Sequence, residues 1–158
     1  MERLWTPWRN VYVSEAGRAD GCFLCVAAAG GDDLVVARDA ATVTLLNRFP
    51  YNSGHLMVAP LEHVPDLLAA GDAGAAALMV AARRAVRALE AALRPDGFNL
   101  GVNHGSAAGA SVEHVHLHVV PRWSGDTNYM PVVGGTKVLP QLLEDTATHL
   151  RAAYRDLD

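Results

Sequence analysis

The sequence predicts an α+β domain whose core is an antiparallel sheet. Three observations predict it: short β-branched segments joined by turns, one long central stretch of helical periodicity, and a strand near residue 115 in which histidines alternate with apolar residues. A length of 158 residues with 51% apolar residues suits one compact domain with a sizeable core, spanning 1–158.

The elements follow in order. Ala27 to Asp33 is small and Gly-rich and reads as a flexible loop. Leu34–Arg38 and Thr42–Asn47 are β-branched and separated by Asp39-Ala40-Ala41, a hairpin pattern. Phe49-Pro50-Tyr51-Asn52-Ser53-Gly54 reads as a turn, and His55–Ala59 as a third strand. From Asp72 to Arg94 the period becomes helical: Leu78, Ala82, Ala85, Leu89 and Leu93 share one face, with Arg83, Arg87, Glu90 and Arg94 on another. Pro95-Asp96-Gly97 ends that helix. Phe98–Asn103 is a fourth strand, His104–Ser111 a loop, Glu113–Pro121 a fifth strand, and about Leu139 to Tyr154 a second helix.

Composition narrows the function. A formal charge of −4 leaves no basic footprint for a nucleic-acid backbone, so an anionic substrate must be held by local donors. No apolar run approaches the roughly 20 residues of a membrane span. The start, MERLWTPWRN, carries charges and Trp where a secretory signal has an apolar stretch, and the chain reads as cytoplasmic. The two cysteines, Cys22 and Cys25, form one CxxC, which in a cytosolic protein suits metal or redox chemistry better than a structural disulfide.

The informative stretch is His114-Val115-His116-Leu117-His118-Val119-Val120. On a strand, side chains alternate, so the three imidazoles would share one face while Val115, Leu117 and Val119 face the core. Imidazole is a nucleophile when neutral and a donor when charged, so one ring can attack phosphorus while its neighbours hold the non-bridging oxygens. A row of packed or solvated histidines and a His-rich metal site are the rival readings. The preceding loop, Gly105 to Ser111, offers backbone N–H groups without bulky side chains, as an anion-binding nest does.

These residues resemble the histidine triad (HIT) superfamily, whose signature His-φ-His-φ-His-φ-φ (φ apolar) residues 114–120 match throughout. Leu46 to Pro50, Asn52 to Pro60, Phe98 to Asn103, and Gly109 with Ser111 are similar to its nucleotide-binding segments, and the likeness covers roughly residues 20–125. The flanks, Leu4 to Arg9 and Gly125 to Leu143, resemble those of bacterial diadenosine tetraphosphate phosphorylases near the fragile histidine triad branch.

The resemblance implies a five-stranded antiparallel sheet with two main helices, in a homodimer forming a ten-stranded sheet. It implies His116 as nucleophile, giving a nucleotidyl-histidine intermediate, with the His114 carbonyl orienting its ring. It implies His118 and His55 on phosphate oxygens, Asn47 on the ribose, and Asn103 where the fragile branch has Gln. Gly109 and Ser111 would hold phosphate. It also implies a structural zinc on Cys22, Cys25, His63 and His114, in which case the His114 ring cannot also face phosphate. The expected activity is phosphorolysis of diadenosine polyphosphates, with inorganic phosphate as acceptor. Hydrolysis of the same substrates or of nucleoside phosphoramidates, and non-catalytic nucleotide binding, are the alternatives. Trp5, Trp8 and Trp123 are candidates for stacking on a base, and His104 for touching substrate.

Overall fold

The computed structural model describes residues 21–126 and 139–157. Trp5, Trp8 and the N-terminal flank lie outside the described residues, as does the part of the C-terminal flank from 127 to 138.

Five strands form one antiparallel sheet: β1 Val35–Arg38, β2 Thr42–Leu46, β3 Leu56–Pro60, β4 Gly97–Val102 and β5 Leu117–Arg122, in the order β1-β2-β3-β5-β4. β2 is buried along its whole length, as a strand covered on both faces must be.

Two helices, α2 Leu67–Leu93 and α3 Leu143–Arg155, cover one face. Leu46, Leu56 and Val58 pack there against Leu78, Leu89 and Leu150. The helical face expected from Leu78, Ala82, Ala85 and Leu89 is the buried one. The helix differs at its start. Asp66 caps a first turn by accepting from the Ala69 N–H at 2.9 Å, and Gly71, at φ 64° and ψ −177°, breaks the helix before the long segment begins at Asp72. That first turn lacks apolar periodicity and is not legible in the sequence. α3 begins later than Leu139, because a residue preceding Pro140 is disfavoured in helical geometry.

A third helix occupies the other face. α1, Phe23–Ala28, buries Leu24, Ala27 and Ala28 against Val43, Leu45, Met57 and Ala59. The Gly-rich reading of residues 27–33 is therefore corrected at its start: Ala27 and Ala28 are helical, and the loop begins at Ala29. Six residues cannot sustain a helix by propensity; burial against β2 and β3 does so, and single-sequence periodicity does not register it.

β5 also differs. It starts at Leu117, not Glu113, so of the three triad histidines only His118 lies in the ladder. The register Leu56↔Val119, Met57↔His118, Val58↔Leu117 would next set Ala59 and Pro60 against His116 and Val115. Pro60 has no N–H to give, and its carbonyl lies 3.1 Å from His114 Nε2. The Val115 N–H turns instead to the Val64 carbonyl at 2.8 Å.

Candidate active site

The histidines divide into two groups on the α1 face of the sheet. His55, His116 and His118 form one, and His114 with His63 and the cysteines forms the other. The expectation of three imidazoles lining one path is corrected accordingly. The irregular backbone before Leu117 turns the His114 ring toward Cys22 and Cys25, while Val115, Leu117 and Val119 enter the core as predicted.

Hydrogen bonds assign every proton in the first group. Gly54, at φ 74°, ends the turn after β2 and delivers His55 into β3. The Tyr51 N–H donates to His55 Nδ1 at 3.0 Å, so that nitrogen is an acceptor and the His55 proton sits on Nε2. His55 Nε2 lies 2.9 Å from His118 Nδ1, which therefore accepts and leaves His118 with its proton on Nε2. His116 Nδ1 lies 2.9 Å from the His114 carbonyl and must donate to it, which leaves a lone pair on His116 Nε2. The His116 and His118 rings meet edge to face, with centroids 4.8 Å apart. A ring with an unprotonated nitrogen and a ring with an N–H donor thus stand side by side.

Burial keeps the His116 and His55 rings neutral. Desolvation lowers the pKa of His116, opposed by its bond to the His114 carbonyl. Desolvation, then the fields of His118 and His116, push His55 down to about 3. His55 has both nitrogens engaged and is fully buried, so it does not itself reach a phosphate oxygen as the resemblance implies; it holds His118. Tyr51 stacks over the pair, with ring centroids 4.5 Å from His55 and 5.7 Å from His118.

The remaining expected site residues are found in different states. Asn47 directly follows β2; its N–H donates to the His55 carbonyl and its Oδ1 accepts from the Phe49 N–H, bonds that do not use the amide NH2. Asn103 Nδ2 donates to the Gly109 carbonyl at 3.4 Å, a long bond. The nest reading of the loop is corrected in part. A 3₁₀ turn over Ser106–Ala108 directs the N–H groups of Ala108, Gly109 and Ala110 onto the Gly105 and Ser106 carbonyls, so the Gly109 N–H is occupied. Ser111 is half-buried and makes no hydrogen bond among the described residues. His104 is exposed on the loop.

Two contributors were not legible in the sequence. Tyr51 and Asn52 sit in the segment read as a turn; Asn52 also opens the stretch to Pro60 that resembles a nucleotide-binding segment, but neither was singled out for a role. Asn52 Nδ2 donates to the Pro121 carbonyl at 3.0 Å and to Asp126 at 2.8 Å, and Asp126 in turn holds Arg122. A polar side chain between Pro50 and Gly54 was the available signal, but turns commonly carry Asn without such a role.

The second group has the donor set of a metal centre. The ligand atoms of Cys22, Cys25, His63 and His114 lie within 4.8 Å of one another. His114 Nδ1 is 3.3 Å from Cys22 Sγ and 3.6 Å from Cys25 Sγ, and His63 Nδ1 is 3.2 Å from Cys25 Sγ. Tetrahedral ligands with metal bonds of about 2.0–2.3 Å stand roughly 3.3–3.8 Å apart, so the group fits a cation. The proton on His114 Nε2, donated to Pro60, turns the Nδ1 lone pair to that centre. Burial, then the neighbouring Cys22, push the Cys25 thiol up, and a cation beside it would favour the thiolate that ligates metal.

A sequence model of the HIT domain matches residues 30–125. The chain belongs to the HIT family. Among its relatives in that family is a Mycobacterium tuberculosis protein named AP-4-A phosphorylase, 43% identical over 92% of this chain and 80% of its own length. A HIT-like protein of Saccharolobus solfataricus is 34% identical over 69% of this chain and 79% of its own length. Of solved HIT structures, a Zn-bound histidine triad family protein from Mycobacterium smegmatis superposes with a TM-score of 0.75 at 31% identity, covering 87% of this chain and 96% of that one.

Proposed function

We propose that this HIT protein cleaves diadenosine polyphosphates, diadenosine tetraphosphate among them, by transferring a nucleotidyl group through His116 to inorganic phosphate. The observation that carries the reading is the His116 Nδ1 bond to the His114 carbonyl, which leaves Nε2 unprotonated beside the His118 Nε2–H. The choice of substrate rests on the 43% identity to AP-4-A phosphorylase.

In the first step the His116 Nε2 lone pair attacks the α-phosphorus. A P–N bond forms, the bridging P–O bond breaks, and ATP leaves. His118 Nε2–H donates to a non-bridging oxygen as its charge rises. The Asn47 amide holds the ribose, and Asn103 and Ser111 supply further donors near the phosphates. In the second step a phosphate oxygen attacks the same phosphorus, the P–N bond breaks, and ADP leaves. Cys22, Cys25, His63 and His114 hold a structural zinc, which ties α1 to the residues preceding β5 and takes no part in the chemistry.

The working unit is a homodimer in the cytoplasm, joined into a ten-stranded sheet; β4, an edge strand among the described residues with Leu100 exposed, suits such pairing. Incubation with diadenosine tetraphosphate, with and without phosphate, tests the reaction. ADP and ATP formed only with phosphate, and lost in His116→Ala, are expected. AMP and ATP without phosphate would instead make water the acceptor.

A further inference from the structure

The sheet has a second polar site on its opposite face. A cavity of about 400 Å³ opens between β1, α2 and α3, lined by Arg38, Arg84, Arg151, Arg155 and Tyr154 with the β1 backbone. Four guanidinium groups converge there in a chain whose formal charge is −4. No acidic residue lines this cavity among the described residues. Asp39 lies in the narrow extension beside it, facing Arg84, but its carboxylate already accepts from the Ala41 and Thr42 N–H groups and the Thr42 hydroxyl. The described ion pairs, Arg48–Asp32 and Arg122–Asp126, involve neither Arg38, Arg151 nor Arg155. Among the described residues that line or adjoin the cavity, one carboxylate stands beside four guanidiniums.

One of the donors is fixed before any ligand arrives. Arg151 donates Nε to the Val35 carbonyl at 2.9 Å and Nη2 to the Asp33 carbonyl, which orients its planar fork and leaves other N–H groups free of those bonds. Tyr154 is 5% exposed, and its hydroxyl, buried beside Thr44, makes no hydrogen bond of ordinary geometry among the described residues. That hydroxyl stays protonated, because burial pushes it up to about 12.

We propose that this cavity is a second anion site, separate from the histidine cluster, that takes a linear polyphosphate chain. One phosphate can be satisfied by one or two guanidiniums in bidentate contact. Four spread around this volume match a di- or triphosphate, carried by a nucleotide or free. The proposal does not depend on the reaction assigned to His116.

Calorimetric titration of the full-length His116→Ala protein with inorganic tripolyphosphate, and separately with ATP, at constant salt tests it. The comparison is Arg38→Ala/Arg155→Ala in the same background, two exposed side chains whose loss leaves the core intact. Tripolyphosphate binding is expected to weaken on the order of tenfold per guanidinium removed. A nitrogen-15 NMR spectrum should show the Arg151 Nε–H resonance moving with saturation. Equal loss for both ligands assigns recognition to the phosphate chain; loss for ATP alone assigns a nucleotide as its carrier. Affinities unchanged in the double variant, with the Arg151 resonance fixed, would overturn the site.

Discussion

His55 Nε2 stands 2.9 Å from His118 Nδ1, and through that one bond a histidine outside the triad sets the proton position of a histidine inside it. The relay begins at a backbone group, the Tyr51 N–H, which cannot change its role. His55 is thus a positioning residue, with its effect read at His118.

Replacing it should separate positioning from folding. In His55→Ala, turnover of diadenosine tetraphosphate should fall roughly 10- to 100-fold, within the usual range for a misplaced donor. Nitrogen-15 NMR should show His118 passing from a single Nε2–H tautomer to a mixture. A variant that loses activity while His118 keeps its tautomer would refute the relay.

Acid stability follows from the same residue. His55 is held near 3 in the folded protein against an ordinary value of 6.5, so between these limits the unfolded chain binds a proton that the folded one excludes. The sign is definite: the depressed pKa leaves stability intact above about 6.5 and erodes it as pH falls toward 3, by on the order of 1.4 kcal/mol per pH unit. Denaturant unfolding of wild type and His55→Gln across this window should show a shallower pH slope in the variant. Parallel slopes would mean that His55 titrates normally.

Metal removal should loosen the N-terminal side of the site. Protein purified without chelator should carry about one zinc per chain by elemental analysis. At free zinc near 100 times its dissociation constant, the bound ion stabilises by roughly 3 kcal/mol. Cys22→Ser and chelator treatment should each lower the melting temperature, and should not add when combined. Full metal content in Cys22→Ser would exclude the four-residue site.

Gly54 is constrained from two directions. Its φ of 74° suits glycine, and a Cβ there would come within 2.5 Å of Leu93 Cδ1 and 3.1 Å of Leu89 Cδ2. Gly54→Ala should cost about 1–3 kcal/mol, measured by urea unfolding, with the Leu93 side chain absorbing part of the clash. Unaltered stability would show that the turn can rebuild around a side chain.

Much of the fold was legible because it rests on local periodicity. The hairpin of β1 and β2, the long segment of α2 from Asp72, and the inward placement of Val115, Leu117 and Val119 all follow from alternation or helical spacing. The triad spacing likewise marked His116 and His118, and the CxxC marked half of a metal set.

What the sequence could not determine depends on partners far along the chain. α1 exists because β2 and β3 receive its apolar side, and six residues carry no period strong enough to announce that. Spacing alone would aim His114, His116 and His118 alike. Only the folded chain, with Pro60 ending the ladder and Cys22 and Cys25 brought beside His114, turns one imidazole to the cysteine pair and leaves His116 and His118 together with His55. Proton positions were decided at the same level, because a tautomer is fixed by whatever the other ring nitrogen meets: for His55 a turn N–H, for His116 the carbonyl of His114.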